Sequence, residues 1–149
     1  MIGKVFDLCA EFRRAIEKTR FVLPPMDRFP NGACGQASIL LSEYLQQHGY
    51  KTMYYCGLHI FEDERRNPSS HAWLILENHL IADITGDQFR TKSEFLNYDI
   101  PVYVGEEDEF HTLFPVKQTL HRGGINLNDN SHNNRVLRIY YERIMENMR

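Results

Sequence analysis

The sequence has few cysteines, no excess of one charge and no long apolar run, and each shortage closes off a class of protein. Its three cysteines, Cys9, Cys34 and Cys56, are an odd number spread widely over 149 residues. That is no disulfide framework, and it points to a reducing compartment. Seventeen Lys and Arg against twenty Asp and Glu leave a net charge of −3, which offers no basic surface to nucleic acid. No apolar stretch approaches membrane-spanning length. The opening Met-Ile-Gly-Lys-Val-Phe-Asp lacks the apolar core and small-residue site of a signal peptide. The expected address is therefore the cytoplasm, or a host's cytoplasm if the protein is delivered there. Gly123-Gly124 has neither a preceding strand nor a following Lys-Ser/Thr, so no phosphate loop is read. Neither repeats nor low-complexity segments appear.

What is present is an ordinary globular composition, 42% hydrophobic and 25% charged, long enough for one domain with a real core, residues 1–149. Val5, Leu8, Cys9, Phe12 and Ile16 form one stripe of a first helix, with Arg13, Arg14, Glu17 and Lys18 away from it. Cys9 is read as a core residue of that stripe. Pro24-Pro25 ends the helix, and Asp27 to Gly32 is a loop. A second helical run, Ile39 to His48, stops at Gly49. Lys51 to Phe61 is apolar on both parities, as a strand buried on both faces would be. Strands follow at His71–Leu76 and Leu80–Ile84, then a short helix at Lys92–Tyr98 and an edge strand from Pro101 to Val104. From Gly105 to Asn134 the pattern is unreadable: an acidic run, Glu106 to Glu109, leads to a Gly/Asn-rich tract. A loop of that length is expected to be functional, here as a border of a substrate groove. Val136, Ile139, Tyr140, Ile144 and Met148 mark a last helix, expected to lie across the sheet.

The stretch Asn31-Gly-Ala-Cys-Gly-Gln-Ala-Ser38 carries the chemistry. It puts Cys34 between two glycines at the start of the second helix, where unpaired N–H groups and the helix dipole stabilise a thiolate. The glycines leave the sulfur uncovered. The alternative is a small buried thiol in a turn–helix junction. A nucleophile needs a base, and His71 opens the strand Ser-Ser-His-Ala-Trp-Leu-Ile-Leu. Asp83, on the next strand, would hold the imidazole in one tautomer. A three-residue loop at Glu77-Asn78-His79 sets Asp83 opposite Trp73 and diagonal to His71 on one face, whereas a two-residue loop separates them. His71 could instead be structural, and Asp87 in Gly-Asp-Gln-Phe rivals Asp83 as orienter. Trp73 is read as core that shields the histidine from water. Cys56 and His59, three apart on a strand, point to opposite faces and do not make a metal pair, so no metal and no cofactor is expected.

A cysteine at a helix start, a histidine beginning one core strand and an aspartate on the next resemble the papain-like and transglutaminase-like cysteine enzymes. The likeness covers Asn31 to Asp83, extending toward Val104. It implies an α+β fold, a Cys-bearing helix packed on a small antiparallel β-sheet with flanking helices. It further implies Cys34 as nucleophile, His71 as general base and acid, and Asp83 as orienting carboxylate. Papain-like peptidases carry a Gln shortly before the cysteine as oxyanion donor. Here Arg28 stands at that spacing, so the Cys34 N–H with Asn31 or Gln36 is the substitute. The expected activity is that of an amide hydrolase or acyltransferase working through a thioester on a peptide or protein, a peptidase or glutamine deamidase. The alternative is a catalytically inactive binding module that keeps the same shell.

Overall fold

The chain describes residues 1–122, 124–125 and 131–148 of a computed structural model, with backbone only for 118–122. The Gly/Asn-rich tract read as a groove border falls mostly on 123 and 126–130, outside the described residues. Among those residues the architecture is α+β. Helices α1 (Ile2–Lys18), α2 (Cys34–Gln47) and α3 (His132–Glu146) accompany strands β1 (Thr52–His59), β2 (Ser69–Leu76), β3 (Ile81–Asp83), β4 (Tyr103–Gly105) and β5 (Val116–Arg122). The strands form one antiparallel sheet in the order β4-β3-β2-β1-β5. No described helix is long and apolar enough to cross a membrane.

The two faces of the sheet are built differently. On one, α1 and α2 bury Val5, Leu8, Cys9, Phe12 and Ile16 with Leu40, Leu41 and Leu45 against Leu74, Leu76 and Ala82. The other is covered by turns that bring in Phe89, Phe95, Tyr98, Phe110 and Phe114 against Trp73 and Ile81. Because β-strand side chains alternate, Ala72 and Leu74 face the helices while His71 and Trp73 face the aromatic layer.

The β2–β3 hairpin has the register that a three-residue loop requires. Leu74 pairs with Ala82 and Ile75 with Ile81. The Leu76 N–H donates to Leu80 O at 2.8 Å, and His79 takes the positive φ, +66°, that the turn needs. The same register sets Asp83 opposite Trp73. Helix α2 begins at Cys34 itself and ends before Gly49, whose φ of +89° closes it. Gly35 is tightly placed, since a Cβ there would lie 3.3 Å from the Tyr54 hydroxyl of β1.

Several expectations change. Arg13 lies under the protein rather than in water, 7% exposed. Strand β1 is only partly buried along most of its length, with Met53 open to solvent, because the helical layer is centred over β2. The segment 92–98 gives only a 3₁₀ turn, Ser93–Phe95, cut short by left-handed Leu96 and Asn97. Strand β5 was not foreseen; it is a largely polar edge paired with β1. Helix α3 rests on α1 and α2. It does so through Leu137, Tyr140, Tyr141 and Ile144, with Val136 and Met148 partly buried against the same core, and of the expected stripe Ile139 is left half exposed.

Candidate active site

Three elements converge at one end of β2. Helix α2 supplies Cys34 at its first residue, β2 supplies His71, and the end of β3 supplies Asp83. Cys34 is partly open to solvent, while His71 and Asp83 are fully enclosed. The His71 Nε2–H donates to Asp83 Oδ2 at 2.7 Å. With Nε2 so committed, Nδ1 is the remaining nitrogen of the ring, and the Cys34 side chain lies near enough for each group to shift the other's acidity.

Burial pushes the Cys34 thiol up, and the hydrogen bond and charge of His71, with the Ala72 N–H, bring it below its ordinary value. Burial likewise works against a charged His71, and the Asp83 carboxylate outweighs it, aided by Cys34, raising the imidazole to about 10. Asp83 stays ionised despite its burial because it faces two imidazoles. By contrast Cys9, sealed in the helical core without such partners, is pushed up to about 12.

The rival orienter has another task. Asp87 forms a bidentate pair with Arg13, at 2.7 and 2.8 Å, and Arg13 also donates to Ile84 O and Pro101 O. Asp83 is therefore the carboxylate at the histidine, and Asp87 ties the turn after β3 to α1. The next residue, Gln88, uses that anchored turn. Its Oε1 accepts from the Gly32 N–H at 3.2 Å, while its Nε2 lies 3.1 Å from Thr85 O and 3.2 Å from His71 Nδ1. Gln88 thus joins the loop that leads to Cys34 with the ring beside it.

Of the other expected residues, Gln36 is the better placed. It lies half-buried in the first turn of α2, two residues after Cys34, and its Oε1 is buried with no hydrogen-bond partner among the described residues. Asn31 is exposed, as is Arg28. Trp73 is buried with its ring 5.4 Å from that of His71, and Phe89, Phe110 and Phe114 complete the wall around the imidazole. His59 gives its Nδ1 to Leu113 O at 2.7 Å and packs on Phe95 and Phe114, on the sheet face opposite the one Cys56 shares with Ala72.

His111 and Asp108 were missed. The His111 Nε2 also reaches Asp83 Oδ2 at 2.7 Å, and its Nδ1 lies 2.5 Å from Asp108 Oδ1. The Thr85 N–H donates to the remaining oxygen, Asp83 Oδ1. No periodic signal marks His111, which sits in a short turn, His111–Leu113, 28 residues beyond Asp83. Among the described residues, His71, Asp83 and His111 are the group whose ligand atoms come together. Their centre is the carboxylate oxygen itself, at hydrogen-bond distance from both nitrogens. A zinc ion would need all three at ~2.0–2.2 Å from a shared point.

Compared with known proteins, the chain matches no family model, no curated protein and no solved structure.

Proposed function

We propose that the protein is a cysteine-dependent amide hydrolase or acyltransferase of the papain-like and transglutaminase-like kind. The reading extends to a peptidase or a protein glutamine deamidase as its most specific form. The observation that supports it is the His71–Asp83 hydrogen bond, 2.7 Å, beside a Cys34 thiol that the same imidazole holds below its ordinary value. In this reading the Cys34 sulfur attacks an amide carbon and its proton resides on His71 Nδ1. The Cys34 N–H, free of helical partners at the first position of α2, and the Gln36 amide hold the oxyanion. His71 then gives its proton to the departing amine, or to ammonia if the substrate is a glutamine side chain. A water molecule that passes its proton to the same nitrogen splits the thioester and releases the acid. The Gln88 N–H can leave Nδ1 when that atom is protonated, because Thr85 O already accepts from it.

A second reading is a non-catalytic binding module, favoured by the Gln88 amide at Nδ1, the atom that has to take the thiol proton. One experiment separates the two: iodoacetamide labelling of Cys34 as a function of pH, in the wild type and in His71→Ala. The enzyme reading expects reaction well below pH 7 in the wild type and a curve moved toward ~8.5 in the variant. Coincident curves near ~8.5 would overturn it and leave the binding module.

A further inference from the structure

Asp83 does not serve His71 alone. Its Oδ2 receives two imidazoles at equal distance, and the second, His111, meets another carboxylate through its far nitrogen. Consider the protons. The Nε2 of His111 faces an acceptor, Asp83, and so carries hydrogen. Its Nδ1 faces an acceptor, Asp108, and must carry one as well, unless a carboxylate is protonated. Asp83 and Asp108 are both held below the usual carboxylate range, so both N–H groups belong to the ring.

Every neighbour fits that state. Asp83 comes from β3, and Asp108 precedes the turn and also accepts from the His111 backbone N–H at 2.9 Å. His71 on β2 lies 6.1 Å away between ring centroids. Tyr98 points its hydroxyl at Asp108, and Tyr103 and Trp73 pack on the ring. From the helical layer, Cys9, as a neutral thiol, and Cys34 sense the Asp83 charge among the described residues.

We propose that His111 is a permanent imidazolium clamped between Asp83 and Asp108, and that this charge, acting through Asp83, sets the acidity of His71. The inference rests on the Cys34–His71 reading above and deepens it. An aspartate serving only one histidine stabilises the imidazolium so far that it becomes a poor proton donor to a leaving amine. A cation beyond the aspartate offsets part of that pull and makes His71 a stronger acid. His111 is thus a positioning and tuning residue, not one that touches substrate.

The sign of one shift tests this. His111→Gln keeps an N–H for Asp83 but removes the charge. If His111 tunes His71, the His71 titration, followed through its ring ¹⁵N resonances, moves upward. At 6.1 Å and an effective dielectric of ~20, the expected movement is about one to two pH units. Asp108→Asn, which leaves the Asp83 contact in place but removes one of the two carboxylates that hold the charge, moves it the same way and lowers the His111 titration. A purely structural role predicts the reverse, because a loosened Asp83 lets His71 fall toward ~6.5. A fall, no change, or a wild-type His111 that is neutral at pH 7 each overturns the proposal. The functional reading fails separately, if Cys34→Ser leaves the wild-type His71 titration unmoved.

Discussion

Arg13 is the residue whose removal tests the packing argument most sharply. Its guanidinium and the Asp87 carboxylate are 8% and 10% exposed, and four hydrogen bonds satisfy the arginine. Deleting one partner leaves a charge that water cannot reach, which costs about 3–5 kcal/mol, whereas exposed pairs cost ~0–1 kcal/mol. Arg13→Ala and Asp87→Ala should each lose that amount in urea unfolding. With a slope of ~2 kcal/mol per molar, the midpoint falls by about 2 M. The double variant Arg13→Met/Asp87→Leu removes both charges and refills the space, so it should recover most of the loss. Single variants costing less than ~1 kcal/mol, or a double variant as poor as the two losses added, would refute the reasoning. The pair also anchors the turn that carries Gln88 to His71, so the single variants should slow Cys34 alkylation while the compensated double does so less.

The pH dependence of stability has a definite sign. His71 is raised on folding, so its contribution is complete below its unfolded value of ~6.5 and is lost as pH rises through about 10. Cys34 is lowered, so its contribution is complete above ~8.5 and is lost as pH falls. Between ~6.5 and ~8.5 the two cancel in proton uptake. Urea midpoints of the wild type relative to Cys34→Ser/His71→Gln should therefore be flat there and drop toward pH 10; a steady rise over that range contradicts the ion pair. Gly57→Ala should destabilise by about 1–3 kcal/mol, since a Cβ would lie 2.5 Å from Phe114 O, and a thermal midpoint within a degree of the wild type would contradict the packing of Phe114 on β1.

The parts legible in the sequence were those governed by local periodicity. The stripe of α1 and the start of α2 near Cys34 follow from spacing alone, and of the two hairpin registers left open the structure has the three-residue one. Arg13 shows where that reading stops. It stands four after Cys9 and three before Ile16, on the buried stripe by geometry, yet its charge assigns it to water. Only Asp87, 74 residues away, makes its burial possible, and no local window contains that partner. Asp87 stood as a rival to Asp83 for the same reason. Strand β5, Val-Lys-Gln-Thr-Leu-His-Arg, lacks the alternation of a half-buried strand because it is an edge. His111 had no signal, since its significance lies in the second lone pair of an oxygen already assigned to His71.

The aromatic wall around His71 has a directional consequence. With Trp73, Phe89, Phe110 and Phe114 on its faces and edges and no exposed surface, the ring cannot trade protons with bulk water along its flanks. Nε2 ends in a carboxylate, which leaves Nδ1 as the exit, and that exit faces the Gln88 amide at 3.2 Å, on the side from which Cys34 acts on the ring. A hydrogen on His71 therefore leaves by way of the sulfur or of whatever occupies the space beside it. Solvent exchange at this imidazole is in effect a gauge of what sits on Cys34, slow when the thiol side is covered and faster when it is open.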